Sequence, residues 1–312
     1  MSKLMTNYLS LISLSVLIVL SGCSTNTQKI CSYRPDQSMF LELKVAAITF
    51  KFEKFDVQSN VSKLEALFRQ AAGEGAQLAL APEAAIDGFV VNDIIRGDIP
   101  AERIYDVAIS IEDPVIQHFR DLARELNMAL AFGFAELIDK EVFNCAVFID
   151  NNGNICGMYH KMQFAEGYQT SWWFNRLGKS SRAFDTPFGR CGFLVCNDRW
   201  NPDLARIPVL DGAQYLLIPS YGYSGKEHDQ AVLARARENG VPVVSANVGA
   251  LLIISKGEII KNLRQDEGLI VGTIAVPATP SPENRDKLER QFLESRPKEM
   301  QKRYKDYLAN PW

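Results

Sequence analysis

The chain has 312 residues, 47% of them apolar, and a formal net charge of −3. A chain of this length and apolar content can bury one large core, and its mild negative charge offers no basic patch of the kind a nucleic-acid partner requires. Neither an internal repeat nor a long low-complexity tract interrupts it, so solenoid and fibrous architectures fall away.

The N-terminus reads as an export signal. Lys3 supplies a short positive segment, and Tyr8 to Leu20 is an apolar run too short for a comfortable membrane span. The run ends in Leu20-Ser21-Gly22-Cys23, which resembles a bacterial lipobox. The resemblance implies cleavage before Cys23 and lipid on its sulfur. An ordinary cleavable signal and an uncleaved anchor are the alternatives. Ser24 is not the aspartate associated with inner-membrane retention, which points to the periplasmic face of the outer membrane rather than the inner one. No later segment is apolar enough to span a bilayer. The chain therefore divides into a signal peptide over 1–22, a lipidated tether over 23–38, a domain over 39–279 and a charged tail over 280–312.

Within the domain, Leu43 to Thr49 reads as a strand and Val57 to Ala72 as an amphipathic helix ending at Gly73. Gln77 to Ala81 is a buried strand leading to Glu83, and Asp113-Pro114 opens a helix reaching about Asn127. Met128 to Phe134 is the next strand. Phe143 to Asp150 and Ile155 to His160 flank Asn151-Asn152-Gly153-Asn154, a hairpin signal. After an aromatic loop come a strand over Arg190 to Cys196 and a helix over Pro202 to Leu210. Then follow a strand over Tyr215 to Pro219, a helix over Glu227 to Asn239 and a strand over Val241 to Asn247. A hairpin turning about Lys256-Gly257 and a strand over Leu269 to Val276 close the series. Periodicity alone stops at a layered α/β fold.

Of the six cysteines, Cys23 belongs to the lipobox and Cys31 to the tether, while Cys145, Cys156, Cys191 and Cys196 sit in apolar, strand-like contexts. There is no C-x-x-C pair, and His118, His160 and His228 lack metal-ligand spacing, so free thiols and no metal are expected. An odd separation places Cys191 and Cys196 on opposite faces of one strand, which argues against a bridge between them.

Glu83, Lys161 and Cys196 each lie at or just past the end of an apolar run, where an α/β fold presents side chains to a pocket. A thiol, an amine and a carboxylate meeting there make a nucleophile, an oxyanion stabiliser and a proton shuttle. Alone, each has a plainer reading: an inert core thiol, a solvated lysine, a helix start. In order and with these flanks (Ala81-Pro82-Glu83, Tyr159-His160-Lys161, Val195-Cys196-Asn197-Asp198-Arg199), they resemble the carbon-nitrogen hydrolase (nitrilase) superfamily.

That resemblance implies a four-layer αββα sandwich, assembly into homodimers or higher homo-oligomers through outer helices, a C-terminal tail that embraces the second copy, and no cofactor. It implies Glu83 as general base, Lys161 and the Asn197 backbone N–H as oxyanion donors, and a thioester on Cys196. Glu166 is the candidate for a second glutamate found in this loop. Cys196-Asn197-Asp198-Arg199-Trp200 looks closer to amidohydrolases of N-carbamoyl amino acids than to true nitrilases. Its register before Pro202 is one residue shorter than theirs, and a loop after Ala246-Asn247 is short, which leaves the substrate open. Arg176, Lys179, Arg182 and Arg199 are candidates to meet a substrate carboxylate, and Tyr168, Trp172, Trp173 and Phe174 to line a pocket. The expected activity is hydrolysis of a small amide or N-carbamoyl substrate. A nitrilase proper, or a silent binding lipoprotein on the same fold, stands as the alternative.

Overall fold

A computed structural model of the protein describes residues 40–309. The proposed signal, Cys23 and the tether lie outside those residues. Among the described residues no helix is long and apolar enough to cross a membrane.

Two six-stranded sheets form the centre. The first runs β12-β1-β2-β3-β4-β5 and the second β11-β10-β9-β8-β7-β6. In chain order the first sheet takes β1 (Phe40–Thr49), β2 (Leu78–Leu80), β3 (Ala129–Ile138), β4 (Glu141–Ile149) and β5 (Ile155–His160). The second takes β6 (Phe184–Thr186), β7 (Gly189–Phe193), β8 (Tyr215–Ser220), β9 (Val243–Asn247), β10 (Ala250–Ser255) and β11 (Glu258–Leu263), and β12 (Gly268–Pro277) returns to the first. Each sheet has a parallel middle, β1-β2-β3 or β7-β8-β9, continued by an antiparallel hairpin.

Strand alternation assigns the two faces. Leu43, Val45 and Ala47 of β1 join Leu80, Ala131 and Phe148 against Phe193 and Leu217 of the second sheet. Ala46 and Ile48 point the other way, with Leu130, Phe132 and Val147, against helices α1 (Val57–Gly73) and α3 (Pro114–Leu126). Helices α4 (Pro202–Leu210) and α5 (Lys226–Asn239) cover the outer face of the second sheet through Leu204, Ile207, Val232 and Ala236. The result is the αββα sandwich. A short helix α2 (Val91–Ile95) and a 3₁₀ turn (Ala101–Asp106), neither legible in the sequence pattern, close one end with Ile104 and Val107.

The helices begin where the sequence provides caps. Asp56 accepts from the Ser59 N–H, Asp113 precedes Pro114 and accepts from the Val115 N–H, and Asn201 precedes Pro202 and accepts from the Asp203 N–H. The strand expected over Arg190 to Cys196 is shorter. It ends at Phe193 because Cys196 turns into the left-handed region at φ 47°. The parity argument for Cys191 and Cys196 therefore does not apply, although both thiols are free, as is Cys145. Cys156 departs from the expectation of free thiols, since it is disulfide-bonded. Sequence spacing carried no sign of that bond.

The segment read as a charged tail folds into α6 (Pro282–Glu294) and α7 (Lys298–Ala309). Phe292, Leu293 and Tyr304 of these helices are buried in the body of the same chain, and the Tyr304 hydroxyl donates to Asp203 Oδ2 at 2.8 Å. Tyr304 is 4% exposed, so Tyr304→Ala loses both aromatic burial and that hydrogen bond. The expected cost is about 3 kcal/mol of stability, read from the midpoint of a denaturant melt.

Candidate active site

β2 ends at Leu80, and the chain runs through Pro82 to Glu83 before turning at Ala84, whose φ is 55°. β3 crosses so close that a Cβ on Gly133 would stand 2.7 Å from the Glu83 Cα. Only glycine at 133 lets the two backbones meet there. β5 ends at His160, and the Lys161 N–H donates to the Asn144 carbonyl of β4 at 2.8 Å. β7 and β8 bring Cys196 and Tyr221 from the other sheet. The site thus lies between the sheets, at their strand ends.

Glu83 and Lys161 form an ion pair with Nζ 2.7 Å from Oε1, and neither side chain is more than 2% exposed. Asn144 Nδ2 donates to the same Oε1 at 2.7 Å, and the Tyr221 N–H donates to Oε2 at 2.9 Å. The Tyr221 carbonyl in turn accepts from the Cys196 thiol at 3.2 Å. The backbone of one residue, Tyr221, therefore bridges the carboxylate and the Cys196 thiol. Burial opposes the Lys161 charge, but the charges of Glu83 and Cys196 outweigh it and hold the ammonium's pKa above its ordinary value. Burial also raises the Cys196 thiol, with Glu83 adding to the rise, while Lys161 and Arg199 pull it down. The resting sulfur thus keeps its proton until a base takes it.

The turn after Cys196 is a 3₁₀ segment (Cys196–Trp200) pinned by Asp198. The fully buried Asp198 carboxylate accepts from the Tyr159 hydroxyl at 2.8 Å and the Val195 N–H at 3.1 Å. It thereby ties the nucleophile's turn to the strand that delivers Lys161. Asn197 is the second residue of that turn, so its N–H precedes the turn's first internal hydrogen bond.

Arg199 is 2% exposed and does not pair with Asp198. Its Nη1 lies 3.4 Å from Cys196 Sγ, its guanidinium stacks on Trp200, and among the described residues it has no carboxylate partner. The other basic candidates are spent elsewhere or turned outward: Arg176 pairs with Glu141, Arg182 with Asp211, and Lys179 is exposed. Glu166 accepts from Asn175 Nδ2 at 2.8 Å and sends its negative charge toward Lys161.

The aromatic loop divides. Trp173 stacks on Tyr105 with ring centres 4.8 Å apart, and with Phe174 it packs against the end cluster of Ile104 and Val107. Trp172 leans on Phe174, and Tyr168 is exposed. The rings around the ion pair are instead Phe89 and Phe164, each about 6 Å from Lys161 Nζ, with Tyr221 packed on Phe89 at 4.8 Å. Phe89, Phe164, Tyr221 and Asn144 went unread in the sequence. Asn144 alone left a trace, as the polar residue in an apolar strand beside the hairpin that ends in Lys161.

The family model for carbon-nitrogen hydrolases matches residues 44–280, and the chain belongs to that family. It is 30% identical over 217 residues to a citrullinase of Francisella tularensis, covering 66% of this chain and 73% of that one. It is 29% identical to an N-carbamoylputrescine amidase of Arabidopsis thaliana, covering 66% and 71%, and 29% identical to a nitrilase of Pyrococcus abyssi, covering 66% and 74%. An amidase from a Nesterenkonia species, solved in complex with acrylamide, superposes with a TM-score of 0.64 at 21% identity, covering 83% of this chain and 99% of its own. At that identity the likeness speaks for the fold. The enzyme class is thus hydrolysis of a carbon-nitrogen bond.

Asp87, four residues beyond Glu83, is wholly buried and accepts from the Phe89 and Ala135 N–H groups. Burial raises its pKa to about 6 from 3.8. Between those values the native state holds a proton that the unfolded chain has released. Its contribution to stability therefore falls as pH rises from about 4 to about 6. Melts across that range should show the decline, to which the buried Asp198, also raised to about 6, contributes, and Asp87→Asn should reduce it.

Proposed function

We propose that the protein hydrolyses a small N-carbamoyl or simple amide substrate through a thioester on Cys196. The observation that carries the reading is the buried Glu83–Lys161 pair joined through the backbone of Tyr221 to the Cys196 thiol. Glu83 takes the thiol proton as sulfur attacks the carbonyl carbon, and the negative oxygen is met by Lys161 and the Asn197 N–H. The intermediate collapses as Glu83 returns the proton to the departing amine or ammonia. Water, deprotonated by Glu83, then cleaves the thioester and regenerates the thiol. Asn144 is a positioning residue that keeps Glu83 facing this exchange.

Arg199 supports a substrate bearing an anionic group close to the scissile bond, because it brings an unneutralised guanidinium to the nucleophile. The similarity to a citrullinase and to N-carbamoylputrescine amidases favours the N-carbamoyl class. The similarity to a nitrilase keeps nitriles in the comparison. A rate panel of N-carbamoyl amino acids, short neutral amides and nitriles separates the three. Cys196→Ala should abolish turnover with the fold intact, and Glu83→Gln or Lys161→Ala should each cost on the order of a hundredfold or more. Arg199→Met should cost carboxylate-bearing substrates at least about tenfold more than neutral amides. Near-normal turnover in Lys161→Ala would remove the lysine from the mechanism, and nitriles leading the panel would overturn the substrate class.

We further propose that the enzyme is a lipoprotein of the bacterial envelope, attached through Cys23. Leu20-Ser21-Gly22-Cys23 supports this reading, and the disulfide at Cys156 suits an oxidising compartment. A diacylglycerol with an amide-linked chain provides enough acyl tails for stable anchoring. Wild-type protein should fractionate with membranes and Cys23→Ser should not. An unmodified Cys23 in soluble wild-type protein would defeat the anchor and leave the chemistry untouched.

A further inference from the structure

The outer face of the first sheet carries a second set of reactive groups, on the side of the strands opposite the ion pair. Cys145 of β4 faces His160 of β5 across the ladder, and Glu136 of β3 stands one diagonal away. A sulfur, an imidazole nitrogen and a carboxylate oxygen all lie within 4.8 Å of one another there. His160 Nε2 and Glu136 Oε2 are 2.5 Å apart, and the Phe143 ring stacks on the imidazole at 4.5 Å. Cys145 and Glu136 are buried, while the His160 side chain is 23% exposed and gives the cluster an opening. Each residue comes from a different strand, so no sequence spacing announces the group.

We propose that Glu136, Cys145 and His160 form a structural site for a thiophilic divalent cation of the zinc type, with water as fourth ligand. A histidine–glutamate hydrogen bond explains two of the three residues and leaves the thiol only weak contacts, a 3.6 Å hydrogen bond to the Ala146 carbonyl and one to Glu136. One sulfur, one nitrogen and one oxygen donor suit a tetrahedral borderline-soft ion, and thiolate plus carboxylate neutralise its two charges. Metal–ligand bonds of ~2.0–2.3 Å place tetrahedral ligand atoms roughly 3.3–3.8 Å apart. Closing the site thus asks the 2.5 Å contact to open by about 1 Å. On binding, the Cys145 S–H bond breaks, a sulfur–metal bond forms, and the proton leaves to water together with any proton held between His160 and Glu136. No electron moves, and affinity rises with pH. Cys145 and His160 are chain neighbours of Asn144 and Lys161, so a bound ion would fix the β4–β5 register directly behind the groups that hold Glu83.

The test is a cobalt(II) titration of the purified full-length protein carrying Cys196→Ala, which removes the competing nucleophile. The expected result is a thiolate-to-cobalt charge-transfer band reaching one equivalent, zinc displacing it and raising the melting temperature. Adding Cys145→Ser should abolish the band, and His160→Gln should weaken binding at least about tenfold. Should Cys145→Ser fail to fold, Cys145→Ala removes the same sulfur without burying a hydroxyl and gives the same readout. No band at about millimolar cobalt, or a band that survives Cys145→Ser, overturns the site, whatever the fate of the Cys196 chemistry.

Discussion

The Glu83–Lys161 ion pair is the constraint around which the rest is arranged. Removing two charges from water costs several kcal/mol each, and their attraction offsets that only when every remaining lone pair and proton is satisfied. Here Oε1 receives Lys161 and Asn144, and Oε2 receives the Tyr221 N–H. Those donors come from β4, from the residue after β5 and from the loop after β8. The pair is therefore affordable only when both sheets are assembled face to face. Gly133 belongs to the same arrangement, because β3 must pass against the Glu83 backbone for the carboxylate to reach them.

The same burial sorts the thiols. Cys145 and Cys191 are pushed up by burial. Cys191 has no cation among the causes of its shift, and Cys145 has only the negative charge of Glu136 added to it. Cys196 is buried too, yet Lys161 and Arg199 both oppose its rise. Reactivity in this protein is thus a matter of which charges face the sulfur, since exposure hardly distinguishes one from another. Under the proposed chemistry, an anionic substrate group and the nascent thiolate would share the one fixed guanidinium of Arg199.

Much of the fold was legible because its signals are local. The apolar runs, the cap at Asp113 and the Asn-Gly hairpin each follow from a few adjacent residues. The three principal site residues were legible because strand ends precede them. What escaped depends on contacts between distant segments. Asn144 is one polar residue in a strand until the segment after β2 shows that it touches Glu83. Trp172 and Trp173 look like pocket walls by proximity to Lys161, but Trp173 is claimed by Tyr105, on the other side of a loop of no fixed pattern. The charged tail hid two helices because its apolar residues are few. Phe292, Leu293 and Tyr304 suffice only because the body offers them a surface.

The ladder between β1 and β12 pairs Phe40 with Pro277 and Thr49 with Gly268. The first described strand thus waits for the last described strand, and loop closure across that distance must precede any reward from its hydrogen bonds. A chain emerging N-terminus first cannot complete the first sheet, nor seal the charges behind it, until its C-terminal fifth is present. Assembly is accordingly late and concerted, and a growing or threading polypeptide stays open along β1 for most of its length.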